Sequence, residues 1–243
     1  MIQQFNSLET NYMSWIEVKL HSSVTENNDR KNKGLVDIVR SLSKTEPGSH
    51  QIVVYPELGM LRKIYSNYIH EQLENNEIVL MLPFYETVDS VKKVLTNFRD
   101  KNNQKINVAE HLDKGSLLIL DGFEAFFNHE WEINERTESD ANGESLANNN
   151  HGNIVSLMRI MQNQIKKLNK DGMTLILDMG CFFQNGGVEY ILRYERSVPQ
   201  IFKDSNLKQL CIYHQKDFET RFNKSKKAVL LDSHGRSVLM LDA

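Results

Sequence analysis

Residues 51–62 read QIVVYPELGMLR, and this stretch decides the fold that the sequence predicts. QIVVY is a short run rich in β-branched residues, which is typical of a strand buried on both faces. Apolar residues then recur at helical spacings over 61–75, which predicts a helix directly after the strand. A buried strand followed at once by an amphipathic helix is the repeating unit of a parallel α/β sheet.

The same alternation continues along the chain. Further strands are predicted over 78–84, 116–121, 174–179 and 207–214, and further helices over 34–43, 88–100, 154–169, 188–196 and 217–223. At the C-terminus, AVLLDSHGRSVLML has two apolar runs on either side of residues 232–235, which predicts a β-hairpin. The predicted fold class is therefore α/β, a three-layer and mostly parallel sheet with a C-terminal β-hairpin.

Two segments fall outside this alternation. Residues 3–20 carry apolar side chains at three- and four-residue spacings, which predicts an N-terminal amphipathic helix that docks on the domain or on a partner. We expect residues 1–33 to form this helix and a polar linker, and 34–243 to form one domain. Within it, the acidic, asparagine-rich stretch 134–153 is expected to be a flexible insert or a lid over the sheet edge.

Composition and charge exclude several classes of protein. The 243 residues carry 29 basic and 32 acidic side chains, and the segment 134–153 alone accounts for the net charge of −3. The rest of the chain is balanced, so direct nucleic-acid binding is not expected. No apolar run is long enough for a membrane span, and the N-terminus lacks the pattern of a secretory signal. With only two cysteines, the expected location is the cytoplasm.

The phosphate-binding loop expected after the first strand of many nucleotide-binding α/β proteins is missing. The pattern G-x-x-x-x-G-K-[ST] would fall on residues 55–62, where Tyr55 and Met60 replace glycines, Leu61 replaces the lysine and Arg62 the hydroxyl. Glu57 would repel a phosphate. Ordinary ATP hydrolysis is therefore not expected, and no catalytic residue is assigned.

The order of segments nonetheless resembles the RecA/KaiC-like ATPase core over residues 34–125. The run through QIVVY, HEQLENNEIVLMLPFYET and GSLLILD carries the resemblance. It implies a RecA/KaiC-like fold with Glu86 at the position of a catalytic acidic residue. Asp121 and Asp178 each close a predicted strand, where a ligand contact and a simple turn or cap are both reasonable.

Four further segments resemble the MEDS domain, a sensory domain named for methanogens, methylotrophs and the repressor DcmR. They are LPFYETVDSV, LDMGCFFQ, LCIYHQKDF and LLDSHGR, in this order. The resemblance implies a domain that senses small hydrocarbon derivatives or relays signals. The chain departs from the family at Gln184 and Ser233, where the family has histidines, and this puts a histidine-based metal site in doubt.

Aromatic and polar side chains collect at the predicted strand ends and suggest a pocket for a small organic ligand. The alternative is that the aromatic rings only seal the sheet. The candidate ligand-binding residues are Tyr55, Glu57, Arg62, Tyr85, Glu86, Asp121, Asp178, Cys181, Phe183, His214, Asp217 and His234.

Metal binding and cysteine chemistry receive little support from the sequence. No C-x₂-C or H-x₃₋₅-H pair accompanies Cys181, Cys211, His214 or His234, so no metal or cofactor is predicted. Cys181 and His214 follow adjacent predicted strands and could form a nucleophile and its base, although a buried, inert thiol is the simpler interpretation.

The leading hypothesis is a non-catalytic sensory or signalling module. It would bind a small organic ligand or a protein partner and act in trans on a regulator, as a partner-bound chain or a homo-oligomer. The alternative is a nucleotide-binding protein or atypical ATPase that uses Asp121 and Glu86. A scaffold without any ligand pocket is a third reading.

Overall fold

The computed structural model describes residues 37–128, 152–202, 206–234 and 238–241. The predicted N-terminal helix, the polar linker and residues 134–151 of the acidic insert lie outside the described residues, so these predictions stay predictions.

The described elements alternate between strands and helices. The strands are β1 (His50–Tyr55), β2 (Glu77–Leu82), β3 (Leu117–Ile119), β4 (Gly172–Asp178), β5 (Leu207–His214) and β6 (Val238–Met240). The helices are α1 (37–43), α2 (Leu58–Glu74), α3 (Val88–Asn97), α4 (Val108–Asp113), α5 (Gly152–Lys167), α6 (Gly180–Gln184), α7 (Gly187–Phe202), α8 (Gln215–Arg221) and α9 (Lys224–Ser233). A single π-helical turn spans Glu124–Asn128.

The six strands form one parallel sheet in the order β3-β2-β4-β5-β1-β6. Helices cover both faces, since α1 to α4 pack on one apolar core and α5 to α9 on the other. Every residue of the central strands β2 and β4 is buried for this reason. The predicted three-layer α/β class with a mostly parallel sheet is confirmed. Among the described helices, none is long and apolar enough to cross a lipid bilayer.

The predicted C-terminal β-hairpin is wrong. The AVLL run belongs to α9, and β6 runs parallel to β1, with Val238 opposite Ile52. Helix α9 begins at Asn223, whose side chain accepts a hydrogen bond from the backbone N–H of Lys226. A run of four apolar residues fits a buried helix turn as well as a strand, and the asparagine cap decides for the helix.

The position of α2 has a consequence for function. This helix begins at Leu58, three residues earlier than the periodicity predicts, so only Pro56 and Glu57 connect it to β1. A loop that wraps a phosphate needs the eight residues of the G-x-x-x-x-G-K-[ST] pattern, most of them outside a helix. The chain therefore has no backbone here that could encircle a phosphate group.

Candidate functional site

Five of the candidate residues meet at the carboxyl edge of the sheet, on the face covered by α2. Tyr55, Asp178 and His214 end β1, β4 and β5, and their strands place these side chains on the same face. Tyr85 follows β2 and Asp217 lies on α8. We call these five residues the carboxyl-edge cluster. In parallel α/β sheets this edge is where ligands bind.

Tyr55 is the most buried member of the cluster. Its side chain has no exposed surface, and its ring packs edge-on against His214 with the ring centroids 5.2 Å apart. The hydroxyl oxygen has no hydrogen-bond partner among the described residues. Burial, together with Asp178 and the other nearby acidic groups, raises the pKa of this phenol far above its usual range. Tyr55 therefore offers a neutral hydroxyl donor that nothing in the described chain uses.

Asp178 binds three backbone N–H groups. Its Oδ2 accepts from Tyr85 at 3.2 Å and from Phe84 at 3.4 Å, and its Oδ1 accepts from Gly180 at 3.0 Å. Burial raises the pKa of the carboxyl to about 6, although these N–H donors act in the opposite direction. Asp178 thus ties the segment after β2 to the end of β4.

Tyr85 spans the crevice between the strand ends. Its hydroxyl donates to Asp217, and its ring lies 5.6 Å from that of His214. The side chain is 40% exposed, and among the described residues no other large hydrophobic side chain is exposed. A Cβ atom at Gly180 would lie 2.5 Å from the Tyr85 ring, so only glycine permits this close approach. Tyr85 therefore covers the crevice from the solvent side and is held there by Asp217.

Glu86 lies beside the carboxyl-edge cluster and is fully engaged. Its Oε1 accepts from the Arg62 guanidinium at 2.8 Å and from the Ser90 hydroxyl at 3.0 Å, and its Oε2 accepts from the Tyr65 hydroxyl at 3.2 Å. The carboxylate is buried, whereas the Arg62 side chain is 41% exposed. Glu86 therefore fastens α2 to the start of α3, and both of its oxygens are occupied.

Asp121 and Glu57 do not join the cluster. Asp121 follows the edge strand β3, and the four strand-to-strand steps from β3 to β1 amount to about 19 Å. Asp121 is exposed, and its carboxylate caps the π-helical turn by accepting from the backbone of Glu124. Glu57 is exposed at the start of α2. The nucleotide-binding hypothesis pairs Asp121 with Glu86, which follows the neighbouring strand β2, whereas the segment where a phosphate loop would lie follows β1, four strands away.

Cys181 and Phe183 occupy the short helix α6. The Cys181 thiol is fully buried and donates to the carbonyl oxygen of Asp178 at 3.4 Å. Burial and the neighbouring Asp178 raise its pKa well above the usual range, which opposes thiolate formation. The half-buried Phe183 ring lies under the Arg221 guanidinium. The cysteine-nucleophile hypothesis gains no support from these contacts.

His234 lies in a separate group with Cys211, which the sequence analysis considered beside it, and with His50 and Glu195, which it did not. His50, Glu195, Cys211 and His234 come together on the opposite face, beneath α7 and α9. We call this group the His–Glu–Cys cluster. Burial lowers the pKa of His234 to about 4, so its ring is neutral at pH 7. The only sequence signal was strand alternation, which puts residues 50, 52 and 54 on one face of β1.

A groove of about 810 Å³ lies between α2 and α3, next to Arg62. Its lining carries five basic side chains and one acidic side chain: Arg62, Lys63, Lys93, Arg99, Lys101 and Asp100. This excess of positive charge suits an acidic ligand or protein segment.

Comparison with known proteins adds little. No protein-family model matches the chain, and no curated protein matches it. Among solved structures it is similar to the crystal structure of Cdc6p from Pyrobaculum aerophilum, with 13% sequence identity and a TM-score of 0.40. The match covers 90% of this chain and 47% of that one, so the chain spans about half the length of the solved structure. We draw no functional conclusion from a similarity this distant.

Proposed function

We propose that this chain is a non-catalytic sensory or signalling module that binds a small organic ligand at the carboxyl-edge cluster. The observation that carries the proposal is the buried Tyr55 hydroxyl, which has no partner among the described residues. An unsatisfied buried hydroxyl costs about 1–3 kcal/mol, and such a group calls for a specific explanation. A ligand acceptor that completes its hydrogen bond in the bound state supplies one.

The surroundings of Tyr55 favour a small molecule with an apolar body and one or two polar atoms. Aromatic rings of Tyr85 and His214 flank the site, and the nearby carboxyl groups of Asp178 and Asp217 disfavour an anion. This composition, mostly apolar with a few directed polar groups, is typical of small-molecule sites. It agrees with the resemblance to the MEDS domain, whose members are proposed to sense hydrocarbon derivatives.

Absence of catalysis is part of the proposal. The two-residue connection between β1 and α2 cannot wrap a phosphate, and both oxygens of Glu86 are held by Arg62, Tyr65 and Ser90. The three hydrogen bonds use three of the about four acceptor positions of this carboxylate and hold it between α2 and α3. In our proposal Glu86 therefore has a structural role and connects α2 to the start of α3.

Signal transmission would start at Tyr85. A ligand that enters the crevice must displace the Tyr85 ring from Asp217, which releases a contact between the loop after β2 and α8. The same loop continues into Glu86, which pairs with Arg62 of α2 at the rim of the basic groove. We propose that an acidic segment of a partner protein, or of a second copy of this chain, binds this groove and reads the change.

Ligand binding is tested by thermal unfolding of the full chain with a panel of short alcohols, ketones and haloalkanes, and by native mass spectrometry of the purified protein. We expect at least one compound to raise the unfolding midpoint of the wild type and to lose most of this effect in Tyr55→Phe. Tyr65→Phe is the matched control, because its hydroxyl is also buried but already donates to Glu86. Equal responses of all three proteins would contradict the proposed site.

The nucleotide-binding alternative has one observation in its favour, the exposed Arg62 guanidinium in the first turns of α2. Calorimetric titration with ATP and Mg²⁺ separates the two functions. Asp178→Asn is the informative variant, because Asp178 ends a strand only two steps from β1 while Asp121 lies at the far side of the sheet. Our proposal expects no binding and no phosphate release. Micromolar binding that is lost in Asp178→Asn would favour the alternative.

A further inference from the structure

The His–Glu–Cys cluster joins four elements that are far apart in sequence. His50 begins β1, Cys211 lies within β5, Glu195 lies on α7 and His234 follows the end of α9. The four side chains are between 0% and 5% exposed, and their ligand atoms all lie within 4.8 Å of one another. Four polar groups are costly to bury unless each finds a partner.

The hydrogen bonds of His234 fix its tautomer. Its Nδ1 lies 2.7 Å from the carbonyl oxygen of Leu230, which can only accept, so Nδ1 carries the proton. In the neutral ring Nε2 then presents a lone pair, and this atom has no hydrogen-bond partner among the described residues. It faces Oε2 of Glu195 at 3.4 Å, so a lone pair points at a carboxylate oxygen. A cation between the two atoms would turn this repulsion into two favourable contacts.

The spacing of the four atoms is close to that of a tetrahedral metal site. Zn²⁺ bonds of about 2.0–2.3 Å to nitrogen, oxygen and sulfur require ligand atoms about 3.3–3.6 Å apart. The Glu195 oxygen Oε2 lies 2.9 Å from His50 Nε2, 3.4 Å from His234 Nε2 and 3.7 Å from Cys211 Sγ. His50 Nε2 lies 3.1 Å from Cys211 Sγ.

Metal binding requires the Cys211 thiol to release its proton to solvent, and it requires one movement of the side chains. The two imidazole rings are stacked with their centroids 3.7 Å apart. Two imidazoles bound to one tetrahedral ion place their centroids about 5 Å apart. Rotation of His50 can supply this change, because its Nδ1 has no partner among the described residues to hold the ring in place.

Hydrogen bonds from outside the cluster hold three of the four ligand residues. The Leu230 carbonyl holds His234, the Tyr213 hydroxyl donates to Oε1 of Glu195 at 2.6 Å, and the Gln209 amide nitrogen lies 2.9 Å from the sulfur of Cys211. Metal-binding histidines commonly donate their other ring N–H to a backbone carbonyl in this way. The arrangement thus orients the ligand atoms towards one point.

We propose that His50, Glu195, Cys211 and His234 bind one Zn²⁺ ion in a closed, structural site. Two imidazoles, a thiolate and a carboxylate are a donor set that suits zinc, and four protein ligands leave no open position for catalysis. The ion joins the end of α9 to the start of β1 and to α7, and so holds the C-terminal region on the sheet. This site is independent of the ligand proposed for the carboxyl edge.

Cobalt is the probe of choice, because Co²⁺ takes the place of Zn²⁺ and absorbs visible light. The full chain is freed of metal with a chelator and titrated with Co²⁺. We expect one equivalent to bind, with the visible bands of tetrahedral cobalt and a thiolate-to-cobalt charge-transfer band, and one equivalent of Zn²⁺ to displace it. Elemental analysis of the purified protein is expected to give close to one zinc per chain.

Matched variants make the assignment specific. Cys211→Ser is expected to abolish the charge-transfer band, while Cys181→Ser, which alters the other buried cysteine, keeps it. Tyr213→Phe leaves all four ligands in place but removes the hydrogen bond to Glu195. It is expected to weaken Co²⁺ binding about 10–100-fold, as is usual when a residue that orients a metal ligand is lost. Circular dichroism checks that each variant is folded. If Cys211→Ser does not fold, the Co²⁺ affinity of Tyr213→Phe provides the test instead.

Three results would overturn the proposal. The first is the absence of a charge-transfer band in the metal-free wild type on titration. The second is a band that Cys181→Ser removes and Cys211→Ser keeps. The third is a Co²⁺ affinity that Tyr213→Phe leaves unchanged. A trace of zinc that dialysis removes, without these spectra, would identify an adventitious ion and count equally against the site.

Discussion

The substitution Tyr55→Phe should stabilise the protein, which is an unusual outcome for a fully buried residue. The ring of Tyr55 is 0% exposed, and its hydroxyl has no partner among the described residues. Phenylalanine keeps the ring and removes only the unsatisfied hydroxyl. Because an unpaired buried polar group costs about 1–3 kcal/mol, the free energy of unfolding should rise by roughly that amount.

Tyr65→Phe provides the control with the opposite sign. Tyr65 is also 0% exposed, but its hydroxyl donates to the buried carboxylate of Glu86 at 3.2 Å. Loss of a hydrogen bond to a charged group costs about 1.5–3 kcal/mol, so this variant should be destabilised. Two tyrosines with equal burial are thus predicted to respond in opposite directions.

Urea unfolding followed by far-ultraviolet circular dichroism measures both effects. At this chain length 1 kcal/mol corresponds to a shift of about 2–4 °C in the melting temperature, so thermal scans give a second readout. The slope of the unfolding free energy against urea should stay constant, since neither change alters the buried surface appreciably. If Tyr55→Phe lowers stability as Tyr65→Phe does, the hydroxyl has a partner in solution, and the reasoning behind the ligand site fails.

Three further predictions concern the same region. Because burial raises the pKa of Asp178 from 3.8 to about 6, the native state holds a proton that the unfolded chain releases. The unfolding free energy should therefore fall by about 2 kcal/mol as pH rises from 4 to 6, and Asp178→Asn should lack this component in urea titrations at each pH. Gly180→Ala should lower the free energy of unfolding in urea by roughly 1–3 kcal/mol, because the new methyl group overlaps the aromatic rings after β2. Gly59→Ala is the control: its methyl group meets nothing closer than 3.6 Å and should stabilise α2 by up to about 1 kcal/mol. Arg62→Met should lower the melting temperature by a shift equivalent to about 1–2 kcal/mol, because the buried carboxylate of Glu86 loses its charged partner. The control is Lys63→Met at the exposed neighbouring position, which should change stability by less than about 0.5 kcal/mol.

The periodicity of apolar residues predicted most of the fold. The strand over 207–214 matches β5 at both ends, and every other predicted strand up to that point overlaps an observed one. Buried parallel strands give continuous apolar runs, and that is the strongest local signal in such a sequence. The failure at the C-terminus has the same physical basis, because a four-residue apolar run such as AVLL does not separate a helix turn from a strand.

Prediction of the candidate site was less complete. Strand ends are visible in the sequence, so Tyr55, Asp178 and His214 could be named, and the parallel sheet brings them to one edge. The distance of Asp121 from this group could not be predicted, because the order of strands in a sheet is not written in any local pattern. A strand that follows second or third along the chain can be central or at the edge, and only the packing of its connecting helices decides which.

The sequence by itself determined the class of fold and the loss of the phosphate loop, because both depend on residues that are neighbours along the chain. Only the tertiary structure decided which side chains meet. It separated Cys181 from Cys211 and His214 from His234, and it placed His50 beside residues more than 140 positions away. The physical reason is that a site depends on the distance between side-chain atoms, and in a parallel sheet that distance is set by strand order and by the face on which each residue lies.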